Sequence, residues 1–307
     1  MKKEQLTAYL SVLLAMIFWS FTFVWYKVVY QYYEPITTVF FRLIISSVFL
    51  VLLTAPLRRL QRIEWKDLKW FVLVTFWQPF LYFIGESYGV KLVSSTLSAV
   101  IVATIPLFTP FATAYFFKER ITRMNLTGII ISIVGVGLVI YNKDSSVSAN
   151  PLGVLMLFMA VAAGVGYSIV IKRLSGKYNS ISIVTYHNII GIFMFAPLFF
   201  LLDWQSFKTT GIVMDAWVPL LKLAIFGSSF AFIFFTFSIK RLGVTKANAF
   251  TNAIPVFTAI FAFFVLGEML TFLKLAGIGL VMTGLFLSQI HGPRLRERLR
   301  VWIKPNE

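Results

Sequence analysis

Glu86 is a carboxylate inside a long apolar run, and Gln78 and Tyr82 precede it at helical spacing. On a helix the pattern i, i+4, i+8 places all three on one face, a polar stripe that hydrocarbon tolerates poorly. A charge inside a spanning helix costs roughly 2.5 to 3.5 kcal/mol on insertion scales, so its default meaning is functional. It could bind an amino group of a solute or exchange a proton. Arg42 sits inside another apolar run. Counted from the run ends at about 1.5 Å per residue, Arg42 and Glu86 lie at similar depth and could pair when no solute is present. A purely structural ion pair, or a contact from Glu86 to Lys91, would account for the same residues.

Other polar groups recur at helical spacing. Trp19, Thr22 and Tyr26 follow i, i+3, i+7, and Gly164 and Tyr167 hold corresponding places later in the chain. Asn248, Thr251, Asn252 and Pro255 share a face. Pro255, like Pro106, interrupts a helix and frees a carbonyl, here that of Thr251, to accept a bond from solute or water. These stripes mark Trp19, Thr22, Gln78, Tyr82, Glu86, Tyr167, Asn248 and Asn252 as candidate cavity-lining residues. Interhelical hydrogen bonds of ~0.6 to 2 kcal/mol each would also explain them. His187, beside Asn188 and in the repeat position corresponding to Arg42, is either a proton relay or a packing histidine.

The elements that must hold these groups are apolar throughout. The 307 residues are 59% hydrophobic and 13% charged, with a mean hydropathy of +0.83. One soluble core cannot bury that much apolar surface, so lipid is the solvent for much of the chain. The net charge of +16 resides in short basic clusters between apolar runs, which suits orientation and lipid contact rather than nucleic acid. Without cysteine there is no disulfide, Cys-ligated metal or thiol chemistry. No metal site and no cofactor is expected.

Ten apolar runs are long enough to cross a bilayer: residues 6 to 30, 36 to 57, 68 to 91, 95 to 117, 123 to 141, 151 to 173, 179 to 202, 216 to 240, 245 to 267 and 271 to 290. The first is too long for a signal-peptide core. Polar connections are expected at 142 to 150 and 203 to 215. Of the 28 Lys and Arg residues, 21 fall on one side of this topology, which places both termini in the cytoplasm.

Residues 105 to 138 repeat at 254 to 287 without a gap, sharing Pro106/Pro255, Phe108/Phe257, Thr109/Thr258, Glu119/Glu268, Thr122/Thr271, Gly128/Gly277 and Gly135/Gly284. The chain therefore divides into a first repeat over 1–144, a second over 145–290 and a basic cytoplasmic tail over 291–307. Five helices per copy force the copies into opposite orientations. Glu119 is flanked by Lys118 and Arg120, and Glu268 by Gly267 and Met269, as opposite sides require. Inverted repeats around a midplane site characterise alternating-access carriers. The paired glycines let helices approach closely, within one molecule or across a dimer.

The ten-helix plan, the Phe18-Trp19-Ser20 run and the doubled Pro-to-Glu motif together resemble the drug/metabolite transporter superfamily, in particular its EamA branch of bacterial exporters. The resemblance implies an all-α carrier fold. Its first, third and fourth helices of each half surround a central cavity, with the fifth and tenth outside. It also implies a multi-pass protein of the bacterial cytoplasmic (inner) membrane that exports amino acids or related small metabolites. The expected partners are a small-molecule substrate and the lipid bilayer, with a monomer sufficient and a homo-oligomer possible.

Enzymes and primary pumps lack support. There is no HExxH, GxSxG or Walker A sequence and no soluble region to carry a nucleotide site. A secondary carrier for small amphipathic solutes is the expectation, with a passive channel or uniporter, or a drug or cation efflux carrier, as alternatives.

Overall fold

The computed structural model describes residues 3–54, 60–117, 121, 123–141, 150–243, 247 and 250–289. Among these there is no strand. Asn248, Glu119, Thr122, Lys118 and the basic tail lie outside the described residues.

Helix starts follow capping chemistry. Pro35 opens α2 (Pro35–Thr54) after α1 (Lys3–Val29). Ser94 accepts from the Leu97 N–H to cap α5 (Ser95–Val102). Asn150 accepts from Leu152 and Gly153, with Pro151 next, to open α8 (Pro151–Ser175); Asn179 accepts from Ser182 at the start of α9 (Ser180–Leu198). Each cap satisfies amide donors that the first helical turn leaves open.

Among the described residues eight helical runs are long and apolar enough to cross a membrane, and two shorter apolar helices, Phe250–Leu266 and Phe272–Ser288, follow them. Several runs are not single helices. The third comprises α3 (Leu68–Thr75), a wide turn over Phe76–Leu81 and α4 (Tyr82–Leu92). Gln78 is extended there (φ −151°, ψ 121°) and the Gln78–Pro79 bond is cis. The expected unbroken stripe from Gln78 to Glu86 is thus corrected: Pro79 has no N–H to continue the ladder. The fourth run breaks at Ala103 and Thr104 between α5 and α6 (Ile105–Phe117). After α7 (Arg123–Ile140), the expected connection at 203 to 215 also differs. α10 (Trp204–Thr210) and α11 (Met214–Lys222) occupy most of it, and Gly211, with φ +66°, ends the former. α12 (Ala231–Leu242) completes the eighth run, and α13 (Ile254–Leu266) and α14 (Phe272–Gln289) end the described fold.

Packing repeats between the halves. α1 rests on α12 and α13, and its counterpart α8 rests on α4, α5 and α6. Corresponding helices also meet each other antiparallel. Along α2 and α9 the Thr37 N–H donates to Asp203 Oδ2 at 2.8 Å, Asn188 Nδ2 donates to Ser46 Oγ at 2.7 Å, and beyond α2 the Gln61 N–H donates to Ser182 Oγ at 2.8 Å. Along α7 and α14 Gly128 faces Gly284 and Gly135 faces Gly277; a Cβ on Gly135 would stand 2.7 Å from the Gly277 carbonyl oxygen. The paired glycines therefore serve a contact within the molecule.

Two tyrosines fasten the ends of the α2–α9 seam in the same way. Tyr33 Oη donates to the Gly211 carbonyl at 2.8 Å and accepts from the Val213 N–H at 2.9 Å. At the opposite end Tyr178 Oη donates to Asp67 Oδ2 at 2.8 Å and accepts from the Glu64 N–H at 3.2 Å. On the first of these ends, Glu268 accepts from the Ser95 N–H at 2.8 Å and from Thr96 Oγ1 at 2.7 Å, tying the α13–α14 connection to the start of α5.

Candidate functional site: a central cavity

Where the broken runs converge they leave a cavity lined by both halves of the chain. The first half contributes Trp19, Thr22 and Phe23 from α1, Arg42 from α2, Gln78, Tyr82, Phe83 and Glu86 from the third run, and Val102, Ile105 and Pro106 from the fourth. The second half contributes Gly164, Tyr167 and Ser168 from α8, Phe232 and Phe235 from α12, and Thr251 and Ile254 from the ninth run. One wall is aromatic: the Trp19 ring meets Phe232 at 5.1 Å and Phe235 at 4.9 Å, both edge-on.

The other wall carries the two charges, both deeply buried, with Arg42 1% and Glu86 5% exposed. They do not form the direct ion pair. The Arg42 Nη1–H donates to Tyr26 Oη, and the Tyr26 hydroxyl donates to Glu86 Oε2 at 3.3 Å. Tyr82 donates to Glu86 Oε1 at 3.0 Å. Arg42 Nε–H donates to Ser228 Oγ, and the guanidinium carbon stands 4.4 Å from the Phe83 ring centroid. Gly227 makes room for this arrangement, since a Cβ there would lie 3.1 Å from Arg42 Nη2 and 2.6 Å from Thr22 Cγ2. The alternative contact from Glu86 to Lys91 is absent as well: Lys91 pairs with Glu34.

Six candidate lining residues, Trp19, Thr22, Gln78, Tyr82, Glu86 and Tyr167, thus come together with Arg42 and Pro106 around one space. Asn252 does not reach it; it is buried next to Thr251, which does. His187 is 1% exposed and stands behind the cavity wall, its ring edge-on to Phe232 at 5.4 Å. Pro255 is buried outside the lining, and both Pro106 and Pro255 occupy the second position of a fresh helix, where proline's fixed φ and missing donor are harmless.

Sequence reasoning did not single out Phe83, Phe232, Phe235, Ser168 or Ser228. The phenylalanines are indistinguishable from lipid-facing ones by type. Ser228, beside Ser229 and Gly227 in an apolar run, did carry a signal: small polar residues there favour close helix contact.

The EamA-like transporter family matches the chain twice, over residues 6–141 and 151–289. The chain belongs to the EamA-like transporter family. It is accordingly a multi-pass membrane transporter. Among curated EamA-type relatives, an "uncharacterized transporter" of Archaeoglobus fulgidus is 28% identical over 275 residues, covering 89% of this chain and 95% of the relative. The "uncharacterized transporter YetK" of Bacillus subtilis is 25% identical over 292 residues, covering 94% and 88%. One solved crystal structure superposes with a TM-score of 0.69 at 14% identity, covering 92% of this chain and 98% of that one, a likeness of fold alone.

Proposed function

We propose that this EamA-like protein is a secondary carrier that exports small amphipathic metabolites, amino acids foremost, across the bacterial cytoplasmic membrane by alternating access. The observation that carries the proposal is the cavity itself: matching helices of both halves enclose a chamber with a cation and an anion on one wall and aromatic rings on the other. A solute with an ammonium, a carboxylate and an apolar body complements all three features.

In this reading ten helices span the bilayer, both termini are cytoplasmic, and the halves are inverted relative to each other. Antiparallel packing of the counterparts α2 with α9 and α7 with α14 supports inversion, because counterparts related by an axis along the membrane normal would run parallel. The end held by Glu268, Ser95 and Thr96 is then extracellular and closed. A monomer contains the whole site. A monocation efflux carrier is disfavoured because Arg42 lines the same chamber.

Purified protein in liposomes preloaded with unlabelled L-phenylalanine should accumulate radiolabelled L-phenylalanine from outside, saturably and faster than unloaded liposomes. Uptake that is linear in concentration and indifferent to preloading would sink the carrier reading and favour a channel.

A further inference from the structure

Tyr26 is fully buried, lies behind the cavity rather than on its wall, and touches both charged groups that line it. Its hydroxyl accepts from Arg42 and donates to Glu86, so it takes the place that a direct ion pair would otherwise fill. The consequence lies in what each charge has left to offer. Arginine has five N–H donors; Tyr26 and Ser228 take one each, and the rest have no partner among the described residues. Each Glu86 oxygen accepts one tyrosine hydroxyl and retains a further lone pair. A bidentate Arg–carboxylate pair would consume two donors and both oxygens and neutralise the wall.

We infer that Tyr26 is a positioning residue: its hydroxyl holds Arg42 and Glu86 apart so that both stay available to a dipolar solute. The inference rests on the carrier reading above and adds a residue that never touches the substrate. Ser228 and Phe83 anchor the guanidinium on its other sides, so Tyr26 is the group standing between the two charges.

The test is Tyr26→Phe, which keeps the ring and removes the bridge. Arg42 then closes on Glu86, and apparent affinity falls in proportion to the fraction of molecules that remain open. In the liposome assay the KM for L-phenylalanine should rise about tenfold while kcat changes less than about twofold, the outcome of a site nine-tenths closed. The second measurement uses 3-phenylpropionate, whose carboxylate needs only Arg42. Tyr26→Phe should weaken its binding in the otherwise wild-type protein. On a Glu86→Gln background the same substitution should do nothing, because no carboxylate remains for Arg42 to close on.

An unchanged KM in Tyr26→Phe overturns the inference and leaves the carrier reading standing. An equal loss of 3-phenylpropionate binding on both backgrounds also overturns it, since the hydroxyl would then act through packing alone. Failure of the wild-type protein to bind or move either probe removes the carrier reading, and the role of Tyr26 with it.

Discussion

A buried guanidinium and a buried carboxylate joined through one phenol are costly to hold and more costly to disturb. Removing one member leaves the other without compensation in a low-dielectric surround, typically a loss of about 3 to 5 kcal/mol. Arg42→Ala should therefore lower the thermal unfolding temperature in detergent markedly, whereas Arg42→Ala combined with Glu86→Gln should recover much of the loss. Additive losses would mean the two groups do not feel each other. Tyr82→Phe removes one of the two hydroxyls on Glu86 and should lower transport of L-phenylalanine by about tenfold to a hundredfold, less than Glu86→Gln does, since a hydrogen bond to a charge is worth ~1.5 to 3 kcal/mol and Tyr26 remains. At the exposed end of the α2–α9 seam the charges are ordinary ones. Lys177 holds the Glu64 carboxyl below its usual range, helped by Lys66, and Asp67 and Glu64 hold the Lys177 ammonium up. A depressed acid contributes above its ordinary pKa and is lost as pH falls through the depressed value; a raised amine contributes below its ordinary pKa and is lost as pH rises through the raised one. The cluster should thus support the Tyr178 clamp across neutral pH, and the protection factor of the Glu64 amide in hydrogen exchange, relative to the intrinsic rate at each pH, should fall in acid and, because the pair is exposed, in high salt.

Between elements, α7 and α14 approach closely, and opposed glycines bring backbone against backbone. A side chain there has nowhere to go. Gly135→Val should destabilise the protein by about 1 to 3 kcal/mol, as overpacked cores do, visible as a lower unfolding temperature, while Gly137→Val, which faces open space, should have little effect. These glycines were legible in the sequence because their interval repeats, and the apolar runs were legible because a bilayer demands about twenty apolar residues. The breaks were less so. Pro106 and Pro255 stood out through duplication, but Pro79 has no counterpart in a matched motif, and a lone proline in an apolar run signals a kink without saying which residue leaves helical geometry. Charged lining was recoverable from Arg42 and Glu86 because charge in hydrocarbon is expensive. The go-between was not: Tyr26 was visible only as part of a stripe, and nothing in its spacing says that it separates two charges sixty residues or less away in the chain.

At the scale of the whole molecule, the inverted arrangement proposed above makes a direct prediction. With no native cysteine, single labels are unambiguous. Lys66→Cys and Lys274→Cys should react with an impermeant maleimide from opposite sides of the membrane in oriented vesicles. Reaction from the same side would remove the inverted architecture.

The twin tyrosine clamps carry one more consequence. Tyr33 and Tyr178 bolt the same seam at its two extremities, so in the alternating-access cycle proposed above that edge would serve as a spine and displacement would concentrate where Glu268 grips the head of α5. Spin labels at 37 and 203 should keep one separation through the cycle while labels at 96 and 268 move apart and return, the motion of a book worked from its open side with its binding left intact.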